Sequence, residues 1–90
     1  MGVEGQAAVK SERDPFTTRQ GQYLAFIHLY TKLHRQPPAE ADIGRYFHVT
    51  PPTVHSMLVS LERRGLISRR PGESRSVRLL IDPASLPKLD

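Results

Sequence analysis

The sequence predicts a small α+β domain of three helices followed by a β-hairpin, and three observations lead to this prediction. Apolar residues recur at three- and four-residue spacing between residues 17 and 64, as in amphipathic helices. Proline pairs interrupt this region twice, so it divides into three helices. After Gly65 the pattern becomes extended. The 90 residues suffice for one domain, predicted at 16–81 between a flexible arm at 1–15 and a tail at 82–90.

The first predicted helix begins at Thr17 or Thr18 and ends at about His34 or Arg35. Its apolar stripe is wide enough for a helix buried on several sides, and comprises Tyr23, Leu24, Phe26, Ile27, Leu29, Tyr30 and Leu33. In so small a domain, an aromatic-rich stripe at this spacing favours a core over a ligand pocket. Pro37 then ends the helix, because the residue before a proline is disfavoured in the α conformation.

A helix-turn-helix is predicted next, with helices at about 39–47 and 51–64. Gly44 is expected where these helices cross, since a glycine inside a helix costs about 1 kcal/mol relative to alanine and so indicates a packing reason. His48 is expected to adopt the left-handed conformation of the turn, which histidine tolerates better than most residues.

The ends of these two helices carry different capping signals. Ala39 is a poor N-cap for the second helix, whereas Thr50 is predicted to cap the third helix with its side chain. Pro51 suits the first helical position, where its missing N–H would have no partner. Gly65 is predicted to end the third helix.

A β-hairpin is predicted behind the helix-turn-helix, from two β-type runs at 66–70 and 77–81. The intervening loop at 71–76 begins with a Pro-Gly pair, which is typical of a turn. A basic hairpin in this position is a wing. No folded element is predicted in the tail.

Basic charge is concentrated in the second half of the chain. The net charge is +4, and the isoelectric point is near 10.0. Seven arginines lie between residues 45 and 78, against two acidic residues. A domain with an isoelectric point above about 9 and clustered arginines is typical of nucleic-acid binding. A solvated surface is the alternative explanation of the charge alone.

Several functional classes are disfavoured by the composition. Without cysteine there is no thiolate metal site or thiol nucleophile, and no HExxH or phosphate-loop motif indicates an enzyme or a cofactor. A histidine metal sensor is disfavoured because His28 and His34 face different directions, His34 being expected on the inner stripe of its helix. No run approaches the roughly 20 apolar residues that span a bilayer, and no signal segment is present, which favours a cytoplasmic protein.

Several pieces of the sequence together carry a family resemblance: FTTRQ at 16–20, QPP at 36–38, DIG at 42–44, LERRGLI at 61–67 and GESRSVRLL at 72–80. With these pieces, residues 16–81 resemble the winged helix-turn-helix DNA-binding domain found at the N-terminus of LexA repressors. The wing is the most discriminating piece. The turn is one residue shorter than in that family, the base-contacting positions differ, and no self-cleaving C-terminal domain follows.

The resemblance implies a transcriptional regulator that binds double-stranded DNA, with the third helix in the major groove. Thr53, His55 and Ser56 are the predicted base contacts, on an outer face that also carries Pro52. The predicted phosphate contacts are Thr50, Ser60, Arg63, Arg64, Arg69, Arg70, Ser74 and Arg75, to which the resemblance adds Arg19. With about 5 to 8 phosphates neutralised, log K should fall by about 0.9 per phosphate for each decade of salt.

Two further points follow from the resemblance and from the fold. A homodimer on DNA, formed through the wings, is implied by the resemblance alone. The alternative function is a winged-helix module for protein interaction or RNA binding, because fold does not fix function. DNA binding requires that the outer face of the third helix be open to solvent and that the basic hairpin lie on the same side.

Overall fold

The computed structural model, which describes residues 15–90, has three helices, a short antiparallel sheet and a 3-10 turn. The predicted arm at 1–14 lies outside the described residues. The elements are α1 (Thr18–His34), α2 (Glu40–Phe47), α3 (Pro51–Arg63), β1 (Ile67–Ser68), β2 (Arg78–Leu79) and the 3-10 helix Pro83–Ser85. In the sheet, Ile67 lies opposite Leu79 and Ser68 opposite Arg78. The predicted α+β class with three helices and a hairpin is confirmed.

Helix α1 begins with a capping box. The Thr17 hydroxyl accepts a hydrogen bond from the Gln20 N–H at 3.1 Å, and the Gln20 side chain accepts one from the Thr17 N–H at 2.9 Å. Two free backbone donors are thereby satisfied. The helix ends at Arg35, whose backbone is left-handed with φ 60°.

The last turn of α1 differs from the prediction. Leu33 is 77% exposed, and His34 is exposed as well, with its ring tilted against that of Tyr30 at a centroid distance of 4.1 Å. The placement of Leu33 and His34 on a buried stripe is therefore wrong, and so is that of Leu29, which is 38% exposed. The physical reason is the small size of the domain. Its other elements cover only the first part of α1, and the buried residues of this helix all lie between positions 20 and 27.

Helices α2 and α3 cross at Gly44, as predicted. A Cβ atom there would lie 3.2 Å from the Val49 carbonyl oxygen and 3.5 Å from a Val54 methyl group. The turn between the helices passes through His48, whose φ of 57° confirms the predicted left-handed conformation.

The ends of α3 are formed mainly by backbone geometry. Thr50 occupies the N-cap position, but the prediction of a side-chain cap is wrong, because its hydroxyl oxygen lies 3.0 Å from that of Thr53 instead. At the other end, Gly65 has φ 74°, and the N–H groups of Gly65 and Leu66 donate to the carbonyls of Glu62 and Leu61. This Schellman ending turns the chain directly into β1.

One hydrophobic core joins the three helices to the hairpin. Its fully buried members come from α1, α2, α3 and β1 and include Tyr23, Leu24, Ile27, Ile43, Val54, Leu58, Leu61 and Ile67. Since residues Val54, Leu58 and Leu61 of α3 all face this core, the opposite side of α3 is left to solvent.

The hairpin is shorter than predicted, with two residues in each strand where five were expected. The reason lies in the loop. The Ser76 hydroxyl accepts a hydrogen bond from the Arg70 N–H at 2.9 Å and lies 3.0 Å from the Glu73 carbonyl oxygen. A side chain therefore replaces backbone pairing in this part of the wing. Gly72, with φ 76°, follows Pro71 in the turn at the tip.

The tail is ordered against the helices, contrary to the prediction that it contains no folded element. Asp82 caps the 3-10 helix, and Leu86 and Leu89 pack against the core. The Gln22 side chain then binds the backbone, donating to the Lys88 carbonyl and accepting from the Asp90 N–H, each at 2.8 Å. The tail thus packs on the core through Leu86 and Leu89 and is joined to α1 by Gln22.

Candidate nucleic-acid interface

The outer face of α3 is open to solvent. Four residues in its first two turns are exposed: Pro52, Thr53, His55 and Ser56. Farther along the helix, Ser56, Val59 and Ser60 line a shallow groove that ends at Arg63 and Arg64. The face carries small polar side chains in its first turns and arginines in its last.

Three of the hydroxyl groups at this face have partners within residues 15–90. Ser60 accepts a hydrogen bond from the buried Gln20 side chain at 3.2 Å, so its proton remains free for an external acceptor. The Thr50 and Thr53 hydroxyls contact each other across the first turn of α3. The helix α1 N-terminus therefore lies beside α3 and orients one of its serines.

Three arginines near α1 and the end of α3 have different environments. Arg63 is exposed and makes no hydrogen bond or ion pair within residues 15–90. Arg64 donates twice to the Pro15 carbonyl, at 2.8 and 3.0 Å. Arg19 lies over the rings of Tyr23 and Phe47, 5.5 and 5.4 Å from their centroids.

The base of the wing lies against α3 through Arg69. Its guanidinium group is 3.1 Å from the Glu62 carboxylate on α3 and 3.6 Å from the Glu40 carboxylate on α2. Glu40 in turn lies 4.0 Å from the His55 imidazole. The basic hairpin and the open face of α3 are therefore adjacent and on one side of the molecule.

The far end of the wing is held by Arg75. Its guanidinium group lies 3.1 Å from the Tyr30 hydroxyl, 3.2 Å from the Pro37 carbonyl oxygen and 3.1 Å from the Asp42 carboxylate. Arg75 is also one of three non-glycine residues with positive φ among residues 15–90, at 54°. The wing loop consequently folds back onto the start of α2.

Asp42 connects the wing to the N-terminus of α2. Its carboxylate accepts a hydrogen bond from the Ala39 N–H at 2.8 Å, which compensates for the poor N-cap, and it also pairs with Arg45. The Ala39 N–H contributes most to lowering the pKa of Asp42, and the charges of Arg75 and Arg45 lower that pKa further. Asp42 is therefore a carboxylate that stays ionised while it holds three partners.

The tip of the wing is exposed and differs from both of its ends. Arg70 and Glu73 form a two-pronged ion pair with N–O distances of 2.8 and 2.7 Å, and their side chains are 61% and 53% exposed. Hydrogen bonding to Arg70 lowers the pKa of Glu73. Ser74 is exposed beside them.

The structure thus brings most of the predicted site residues to one surface, but it gives them unequal surroundings. Sequence reasoning missed the internal partners, which are Gln20, Tyr30, Glu40, Asp42 and Glu62. The Thr-x-x-Gln pattern at 17–20 is a capping-box signal that would have found Gln20. No spacing pattern signals the acidic partners, because Glu40 and Asp42 are distant from the wing in sequence and Glu62, seven residues before Arg69, is separated from it by the helix end at Gly65.

Within residues 15–90 no group of three or more histidine or acidic side chains is placed to hold a metal ion. In the same part of the chain, no helix is both long and apolar enough to cross a membrane.

Three helices with a Schellman ending into a basic hairpin, and an open α3 face beside that hairpin, define a winged helix-turn-helix domain. Comparison with known proteins places it more narrowly. The model of the LexA DNA-binding domain matches residues 13–76, so the chain belongs to the family of LexA DNA-binding domains. It is a DNA-binding domain of the kind found in transcriptional regulators.

Individual relatives agree with the family match. The chain is 36% identical over 70 residues to the LexA repressor of Thermosipho africanus, covering 78% of this chain and 35% of the relative. It is 35% identical over 63 residues to the LexA repressor of Thermotoga maritima, covering 70% and 32%. The LexA repressor of Exiguobacterium sibiricum is 38% identical over 65 residues, covering 71% and 32%. The alignments thus span about a third of the length of these relatives.

Proposed function

We propose that the chain regulates transcription by binding double-stranded DNA, with α3 in the major groove and the wing on the adjacent phosphate backbone. The observation that carries this proposal is the position of Arg69, which joins the base of the wing to Glu62 on α3 and to Glu40, itself 4.0 Å from the imidazole of the exposed His55. Both surfaces can therefore meet one duplex at the same time. The role is binding, without a catalytic step.

The base contacts proposed are Thr53, His55 and Ser56, near the N-terminus of α3. Their hydroxyl and imidazole groups can each donate or accept hydrogen bonds, and the threonine methyl group can touch a thymine methyl group. Pro52 adds an apolar surface at the same end. Because hydroxyls are permissive partners, we expect modest sequence preference from α3 itself.

The phosphate contacts proposed are the polar side chains that border this face: Arg19, Thr50, Ser60, Arg63, Arg64, Arg70 and Ser74. Among them Arg63 is the most available, since it is exposed and has no partner within the described residues. Within residues 15–90 the Arg70 side chain pairs with the exposed Glu73 alone, and exposed ion pairs are worth about 0–1 kcal/mol, so a phosphate can replace Glu73.

Selection of bound sequences from a random duplex library, followed by a salt titration on the selected duplex, tests the proposal. We expect an enriched motif and a fall in log K of about 0.9 per phosphate contacted for each decade of salt. A flat salt titration would count against DNA binding. Retention of a protein partner or of double-stranded RNA with no duplex DNA bound would favour the alternative module.

We also propose that two copies bind together on DNA through their wings, in the cytoplasm where a bacterial regulator meets its operator. Leu80 supports this arrangement, because it follows β2 and is 57% exposed. Sedimentation with a palindromic duplex should give a complex of two chains. A strict one-to-one complex at every protein concentration would rule the dimer out.

A further inference from the structure

We infer that Arg69 and Arg75 are positioning residues that fix the wing against α2 and α3, and that neither of them binds phosphate. The inference rests on the proposed DNA binding and assigns these two arginines a role different from that of Arg63 and Arg70. The name "wing clamp" is used here for Arg69 and Arg75 together with their carboxylate partners Glu40, Asp42 and Glu62.

Three acceptors meet at the Arg75 end of the wing clamp. One guanidinium nitrogen lies 3.1 to 3.2 Å from oxygens of Tyr30, Pro37 and Asp42, and the charged group also lies 6.0 Å from the centroid of the Tyr30 ring. These partners come from the end of α1, the loop after it and the first turn of α2. The side chain therefore fixes the wing to three segments at once.

The Arg69 end faces two carboxylates. Its side chain is only 18% exposed and lies between Glu62 and Glu40, which belong to different helices. Glu40 and Asp42 both lie in the first turn of α2, so the two ends of the wing loop are held by the same helical turn. The position of the wing is set at both ends before any duplex binds.

Competition between phosphate and carboxylate favours this assignment. If Arg75 moved to a phosphate, it would leave Asp42, whose side chain is only 11% exposed, with Arg45 as its one remaining cation. Breaking a partly buried pair is costly because the remaining charge is poorly solvated. Arg70 can leave the exposed Glu73 at little cost, so the tip of the wing provides the phosphate contact.

The expected benefit of the wing clamp is preorganisation. A loop that is already ordered loses less conformational entropy when it binds, and the difference contributes to affinity. A wing that is free to move would have to be ordered by the DNA itself. The clamp is therefore expected to raise affinity even though its members make no contact with the duplex.

Asp42→Asn gives a test whose sign separates the two roles. The variant keeps an acceptor for the Ala39 N–H but releases Arg75 and adds one unit of positive charge. If Arg75 bound phosphate, removing its competitor would strengthen binding to a mixed-sequence duplex. As a positioning residue, its release should weaken binding by about fivefold or more, the scale typical of coupling between sites. Asp82→Asn, the same chemical change in the tail, is the control and should not weaken binding.

A double-mutant cycle with Arg75→Gln completes the design. The two single changes should weaken DNA binding in the same direction, and the double variant should be little worse than either, because both break one contact. Effects of opposite sign, or unchanged affinity of folded Asp42→Asn protein, would overturn the inference. If circular dichroism shows that Asp42→Asn is unfolded, Tyr30→Phe replaces it, because this change removes the hydroxyl that Arg75 and Asp42 share and leaves both charges in place, with weaker binding again expected.

The same cycle, measured by denaturant unfolding without DNA, separates this inference from the proposed function. We expect Asp42 and Arg75 to be coupled in stability. Wild-type protein that binds no duplex at low salt would refute the proposed function. Wild-type protein that binds DNA, with Asp42→Asn binding equally well or better, would refute the positioning role alone.

Discussion

The outer face of α3 and the wing both present arginine to the solvent, but they hold it in different ways. On α3, Arg63 is exposed and has no partner within residues 15–90. In the wing, Arg69, Arg70 and Arg75 each contact at least one carboxylate. Equal charges in one small domain therefore have unequal access to an external anion.

This difference distinguishes arginines that can contribute to DNA affinity from arginines that hold the wing in place. An arginine without an internal partner gives up only hydration and side-chain entropy when it binds phosphate. An arginine of the wing clamp must first give up a charge-assisted hydrogen bond, which is about twice as strong as a neutral one. Counting basic residues consequently overstates the number of phosphate contacts.

The largest expected effect distinguishes two serines of the wing by their partners. Ser76→Ala removes the hydroxyl that accepts from the Arg70 N–H and lies 3.2 and 3.0 Å from the carbonyl oxygens of Arg70 and Glu73, and losing this part-buried network should cost about 1–3 kcal/mol of unfolding free energy. Ser74→Ala, at an exposed position, should change stability by less than about 0.5 kcal/mol. Urea denaturation of both variants makes the comparison. Equal stability of the two would show that the Ser76 hydroxyl does not hold the loop.

An intermediate effect is expected from removing one arginine from each region. Arg63→Ala should reduce the slope of log K against log salt by about 0.9, the value of one phosphate contact. It should lower the free energy of unfolding by at most about 1 kcal/mol, because a positive charge is lost at the C-terminus of α3. Arg69→Ala should instead lower stability, since Glu40 and Glu62 lose their shared cation. Salt titrations and urea denaturation of both variants test the contrast. A flatter salt dependence for Arg69→Ala with unchanged stability would reverse it.

The smallest effect concerns pH and isolates Asp42. Because the pKa of Asp42 in the folded protein is below its ordinary value of 3.8, its carboxylate stabilises the fold fully above that pH and loses this contribution at lower pH. The difference in stability between wild type and Asp42→Asn should therefore be constant near neutral pH and shrink below about pH 3.8. Thermal unfolding from pH 7 downward would show it. A difference that already disappears near pH 6 would point to another titrating group.

Much of the fold followed from local sequence patterns. The bounds of α1 and α3, the left-handed backbone at His48 and the close crossing at Gly44 were all predicted, because each depends on residues close together in the chain. Apart from the expected Thr50 side-chain cap, the main errors were of a different kind. Leu33 and the tail were misplaced because burial depends on which surfaces other elements leave uncovered, and periodicity does not contain that information.

The candidate site likewise has features that the local sequence predicts and features that depend on contacts between distant segments. The open face of α3 could be predicted because Val54, Leu58 and Leu61 fix which side of the helix faces the core. The surroundings of the wing arginines could not, since Asp42 meets Arg75 only after α2 has packed beside the hairpin. Residues on one helix face recur every three or four positions, whereas an ion pair between distant segments produces no regular pattern in the sequence.

The sequence by itself determined the order of the elements, their main turns and the polar face that α3 turns to solvent, because backbone preference and hydrophobic periodicity act over short distances. Only the tertiary structure decided which arginines remain available to a duplex and which ones hold the wing in place. That choice depends on the carboxylates that folding brings within about 3 Å of each guanidinium group, at which distance a charge-assisted hydrogen bond competes with phosphate.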